Sequence, residues 1–180
     1  MNGLVMRASY AMGESASPNQ SAGNNIGFSA RLDKDLFGAY GFYHRMNDQA
    51  PATTKTTQAG IGGVAKFGGL RVSYGYHVTN PDAGAKAVGQ NIGLAANVGG
   101  GWLMAQAMKV QQDALKAEGK SFALSYVYPL SKRTDLTASA GVMRNNSVGV
   151  YALRASDFQV SPTVAGNSPK GVGMGIAHWF

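Results

Sequence analysis

The side chains of this chain best placed to do chemistry are cations set along polar faces. Arg7, Arg31, Lys66 and Arg71 each alternate with apolar neighbours, so a pleated strand would carry each of them on the side opposite its apolar residues. Fixed cations along a confined aqueous path concentrate anions and exclude cations, because low-dielectric walls focus their field. That chemistry is electrostatic filtering, with no bond made or broken. The competing explanation is scattered, solvated charge balanced by acids elsewhere in the protein.

Covalent chemistry finds less support. His44 and His77, with Asp82 nearby and many serines, would suit a barrel-borne hydrolase. No G-x-S-x-G elbow accompanies them, and a histidine in a polar rim is ordinarily just solvated. The chain has no Cys and its 3 His are far apart, so no metal-ligand cluster is expected, and no cofactor. Gly60-Ile-Gly-Gly63 and Gly99-Gly-Gly101 precede no helical pattern, which removes a phosphate-loop reading. The formal charge of +7 comes from 16 Lys plus Arg against 9 Asp plus Glu, but these residues are spread through the chain. Nucleic-acid binding would need a clustered stripe or a known module, and is not expected.

The elements that would position the cations are read from a period of two. Leu4, Met6, Ala8 and Tyr10 oppose Val5, Arg7 and Ser9; Ile26, Phe28, Ala30 and Leu32 oppose Gly27, Ser29 and Arg31. Similar segments begin at Phe37, Ile61, Ile92, Phe122 and Leu136, and the clearest pairs Leu70, Val72, Tyr74 and Tyr76 against Arg71, Ser73, Gly75 and His77. The stretch 102–109 predicts a strand whose facing alternation does not fix. The last strand sets Val172, Met174, Ile176, His178 and Phe180 against Gly173, Gly175, Ala177 and Trp179. This gives about ten strands, each close to the length a tilted strand needs to cross a bilayer. No apolar run approaches the roughly 18 residues of a spanning helix.

Connections alternate in length. Asp33-Lys-Asp35, Gly68-Gly69, Gly99-Gly-Gly101 and Pro129-Leu-Ser-Lys-Arg133 predict tight turns, while long polar loops are expected at 13–24, 47–56, 79–90, 111–119 and 145–170. Short turns on one rim and long, outward loops on the other is the layout of an outer-membrane barrel. Phe37, Phe67, Trp102, Tyr128 and Phe180 fall at the short-turn end, and Tyr10, Tyr43 and Tyr76 at the long-loop end, as two interfacial belts. Arg45 is expected to snorkel to headgroups, and Lys132 and Arg133 to be solvated turn residues. Small and charged residues on the polar face would not pack dry, so water is expected inside. The rival fold is a soluble or surface-exposed all-β adhesion domain, which would hide its apolar faces.

Two segments carry a family resemblance. Tyr126-Val-Tyr-Pro-Leu-Ser-Lys-Arg-Thr134 resembles the Y-x-L-S-K-R-T signature of the trimeric general porins of Gram-negative bacteria. Gly171 to Phe180 is similar to their closing strand, with Gly175, His178 and Phe180 matching its G-x-x-H-x-F pattern. The resemblance implies an all-β transmembrane antiparallel barrel of about sixteen strands. Residues 1–180 would be a single barrel domain, incomplete at its N-terminal end, with the pore-narrowing third loop and a secretory signal upstream of Met1. It further implies a homotrimer in the outer membrane that passes ions and small hydrophilic solutes. Its partners would be outer-membrane lipids and the insertion machinery, which would read Phe180. Enzymatic activity is not implied.

Overall fold

A computed structural model describes residues 3–13, 23–47, 54–155 and 158–180, so most of the connections expected at 13–24 and 47–56 lie outside it. Each alternating segment forms a strand. They are β1 (Gly3–Ala11), β2 (Asn25–Asp33), β3 (Phe37–Asn47), β4 (Lys55–Phe67), β5 (Leu70–Pro81), β6 (Ala87–Val98), β7 (Gly101–Gln112), β8 (Ala117–Ser131) and β9 (Thr134–Asn145). A short hairpin of β10 (Leu153–Arg154) and β11 (Gln159–Val160) follows, and β12 (Lys170–His178) comes last. The long strands make one 10-stranded antiparallel sheet in the order β1-β2-β3-β4-β5-β6-β7-β8-β9-β12. β1 and β12 are its two edges.

The tight turns sit where turn chemistry puts them. Gly99 and Gly100 both have positive φ (58° and 83°) between β6 and β7, and Gly68 (59°) does the same between β4 and β5. Hairpin turns whose twist matches the strands require that conformation, which side-chain-bearing residues resist. Pro129 is accommodated where the β8–β9 register shifts between Pro129 and Ser131, at a bulge that tolerates its missing N–H.

At the opposite rim the strands run further than expected. β5 and β6 leave only residues 82–86 between them, and β7 and β8 only 113–116, where long loops were predicted at 79–90 and 111–119. The reason is physical: past the apolar band a strand no longer needs an oily face, so Gln111, Gln112 and Glu118 continue the ladder with polar side chains.

No sandwich interior exists among the described residues. Their buried apolar side chains are Ala117, Met143 and Leu153, whereas Val172 is 81%, Met174 86% and Ile176 68% exposed. Tyr74 is half exposed and Leu70 more than a third, so the clearest apolar face is not covered. A continuous apolar surface of this extent is incompatible with a soluble monomer and requires lipid. The adhesion-domain alternative fails on that observation.

Candidate functional site

Cross-strand partners in an antiparallel ladder point to the same side, so the register assigns every residue a face. Arg7 pairs with Ser29, Arg31 with both Val5 and Tyr40, and Lys66 directly with Arg71. Following the pairs across the sheet puts all four cations on the polar face, beside Gly62, Gly75 and Asn91. The sequence assigned them that side, and the structure also brings them together.

Asp33 binds two of them. Its carboxylate accepts hydrogen bonds from Arg31 Nη2 at 3.2 Å and from Lys66 Nζ at 2.5 Å, and Lys66 also donates to the Lys34 carbonyl at 2.8 Å. Lys66 and Arg71 are like charges directly opposite, an arrangement that by itself destabilises a sheet. Asp33 takes up part of that repulsion on one side. On the other, the Arg71 guanidinium lies over the Trp102 ring, 4.4 Å from its centroid. Two adjoining hollows result. One, of about 580 Å³, is lined by Arg31, Asp33, Tyr40, Lys66, Arg71 and Asn91 among others; the next, of about 480 Å³, adds Arg7 and Ser29 and shares Arg31, Asp33 and Tyr40. One carboxylate against four cations leaves this patch strongly positive.

Tyr40 reaches across the wall because its neighbours lack side chains. A Cβ at Gly62 would stand 2.5 Å from Tyr40 Cζ, and one at Gly75 2.9 Å from its hydroxyl. Gly60-Ile-Gly-Gly63 therefore makes room for rings: Phe42 lies equally close over Gly60.

Sequence reasoning missed Asp33 and Trp102. The sequence presents Asp33 as a turn residue, although it stands two positions after Arg31 and so continues the same face. Trp102 was placed in the membrane belt; the register with Asn97 and Val127 puts it on the polar face, under Arg71. Alternation failed there because both faces of β7 mix large and small residues. The other belt aromatics keep the apolar side; Tyr128 stacks on its neighbour Tyr126 at 6.4 Å, and Phe180 lies edge-on to His178 at 4.8 Å. His178 Nδ1 also lies 2.9 Å from Thr134 Oγ1, which holds the last strand to β9. His44 and His77 lie on the polar face as space-fillers over Gly27 and Gly89.

The last long connection departs from expectation. Rather than projecting outward, the described residues between β9 and β12 fold back onto the polar face of β8, β9 and β12. Leu153, 1% exposed, sits over Gly141; Tyr151 covers Gly119; Phe158 covers Gly171. Asn145 straps the segment down, donating to the Tyr151 and Asn167 carbonyls (3.0 and 2.8 Å) and accepting from the Tyr151 N–H at 3.1 Å. Burial in this contact pushes the Tyr151 phenol above its ordinary pKa.

A single sheet with one apolar, lipid-seeking face and one polar, cation-bearing face has the two sides that a membrane barrel wall requires. Comparison with known proteins gives the family: the chain matches the Gram-negative porins over residues 1–147 and belongs to that family, whose place is the bacterial outer membrane. It is similar to the outer membrane porin protein 32 of Delftia acidovorans, 32% identical over 121 residues, which cover 66% of this chain and 34% of that protein. In structure it is similar to an anion-selective porin from Comamonas acidovorans, with a TM-score of 0.86, 26% identity, and coverage of 100% of this chain and 57% of the other. OmpT of Vibrio cholerae, in a trimer form, shares the fold at a TM-score of 0.68 and 12% identity, over 97% of this chain and 64% of the other. The chain therefore spans between 34% and 64% of the length of these relatives.

Proposed function

We propose that this chain forms part of the wall of an outer-membrane diffusion channel that passes ions and small hydrophilic solutes and prefers anions. The observation that carries the reading is the grouping of Arg7, Arg31, Lys66 and Arg71 on one face, with the carboxylate of Asp33 among them. Water beside such a wall holds anions at raised concentration, and the low-dielectric lipid behind it strengthens the effect. Transport is passive and needs no covalent step. The Comamonas relative is described as anion-selective, which agrees with the charge pattern.

Further strands complete the tube. β1 and β12 leave unpaired backbone along two edges, which hydrocarbon does not permit, and the relatives are longer than this sheet. Residues 1–180 then belong to one barrel domain of about sixteen strands, wide enough for an aqueous channel. A homotrimer is supported by the trimeric form of one structural relative. Phe180, exposed at the free end of the last strand, is assigned to recognition by the outer-membrane insertion machinery.

The test is the reversal potential of the purified protein in a planar bilayer under a salt gradient. The sign should report anion preference, and Arg71→Glu should weaken it by several-fold. A wild-type channel without preference, or an unaltered reversal potential in Arg71→Glu, would remove Arg71 and its neighbours from selectivity.

A further inference from the structure

We propose that the open part of the polar face carries a seat for small aromatic carboxylates, formed by the rings of Tyr40 and Phe42 beside the guanidinium groups of Arg7 and Arg31. The inference deepens the anion-channel reading and rests on it, since the rings must meet water.

The seat starts from two side chains that filtering does not use. Tyr40 and Phe42 stand two positions apart on β3, so they share the polar face with the cations. Each ring is laid against a glycine of β4: a Cβ at Gly62 would stand 2.5 Å from Tyr40 Cζ, and one at Gly60 2.5 Å from Phe42 Cε1. Gly60 and Gly75 are buried, yet Tyr40 is still 46% exposed and Phe42 38%. One side of each ring is therefore packed and the other open. Side chains that only padded the wall would be covered, as Leu153 is over Gly141 at the other end of the sheet. Ring surface left facing a charged water path does nothing for an ion filter, whereas small-molecule sites are lined by such rings with a few polar groups beside them.

The polar groups are placed by register. Arg31 is directly opposite Tyr40, and Ser29, opposite Phe42, is itself opposite Arg7. Tyr40, Phe42, Arg7 and Arg31 all line the hollow of about 480 Å³, which is within the size range of small-molecule sites. The Arg31 side chain is 72% exposed and gives one N–H to Asp33, which leaves its other donors for a solute. Asp33 lines the same hollow, but its carboxylate is engaged by Arg31 and Lys66.

Shape decides the occupant. A guanidinium and a carboxylate are both planar and meet through two parallel hydrogen bonds. In an aromatic carboxylate the charged group is coplanar with the ring. A ring lying offset on Tyr40 or Phe42 therefore sends its carboxylate along the wall toward β2 and β1, the strands that carry the arginines. Acetate would use the arginines alone, and a neutral arene the rings alone. A tetrahedral phosphate would hold part of its charge away from the wall.

Benzoate, cyclohexanecarboxylate and benzyl alcohol are titrated separately into the intact protein in neutral detergent, and binding is followed by NMR saturation transfer from protein to solute protons. Benzoate should bind about three- to tenfold more tightly than cyclohexanecarboxylate, the measure of one ring-on-ring contact, and more tightly than benzyl alcohol. Tyr40→Leu with Phe42→Leu keeps apolar bulk but removes both planes, and should bring the two acids to within about twofold of each other. Arg7→Gln with Arg31→Gln should weaken both acids by at least about fivefold. Should the double ring variant not fold, Phe42→Leu alone makes the same test. The proposal fails if benzoate binds no better than either other solute, if the ring variant keeps the wild-type ratio, or if the arginine variant binds both acids as before. The reversal potential of the same preparation keeps the two readings apart. Anion preference with the acids bound alike would sink the seat alone, whereas preference for benzoate in a channel without anion preference would sink the filter alone.

Discussion

The polar face of this sheet is used in two different ways. Over β1 to β5 it is open, and its cations Arg7, Arg31, Lys66 and Arg71 line two adjoining hollows. Over β8, β9 and β12 the same face is roofed by its own chain, with Leu153, Tyr151 and Phe158 set over Gly141, Gly119 and Gly171. Glycine serves both regions, but for opposite ends. In the first, Gly62 and Gly75 let Tyr40 lie flat along its own wall, which keeps the space above it clear. In the second, glycines receive side chains from a distant segment and give up that space. Identical strand geometry thus produces an open, cation-lined wall on one side and a padded wall on the other, the difference lying in what the small residues admit.

The comparison can be broken most severely at the padded wall. Leu153→Ala removes the most deeply buried contact of the segment, a type of change that costs about 2–5 kcal/mol, and Asn145→Ala removes its strap. Either should release the segment, raise single-channel conductance and open the connection to protease, with ion preference little altered. Unchanged conductance and protease resistance in both variants would mean that the roof does not narrow the path.

A smaller change sharpens the open wall. Asp33→Asn keeps hydrogen-bonding capacity but deletes the carboxylate partner of Arg31 and Lys66. The ratio of anion to cation permeability should rise by a few-fold at low salt and by less at high salt, because exposed charges are screened. A fall in that ratio would indicate that Asp33 matters chiefly for holding Lys66 in place.

Much of this was legible in the sequence because a period of two is a local property. The ten long strands and the facing of the four cations were expected from neighbours two residues apart, except that the facing of 102–109 was not fixed, and the tight turns from their turn-forming residues; the short β10 and β11 fall inside the loop expected at 145–170. What was not legible depended on distance or on mixed signals. The β5–β6 and β7–β8 strands outrun their apolar bands, and polar alternation such as Gln111-Gln112 looks like loop. Trp102 stands in a strand whose two faces have similar polarity, so only its partners Asn97 and Val127 fix its side. The infolding of the last connection depends on pairing Leu153 with Gly141 and Phe158 with Gly171, a match between a loop and a wall that no local pattern announces.

The central claim is that one face of the sheet touches water inside a pore while the other touches lipid. With no Cys among residues 1–180, single cysteines introduced there report it. Ser73→Cys on the polar face and Val72→Cys on the apolar face differ by one position along β5 and are treated with a charged thiol reagent during bilayer recording. Channel current should drop on modification at position 73 and stay constant at 72; a drop at 72 with none at 73 would contradict the assignment of faces.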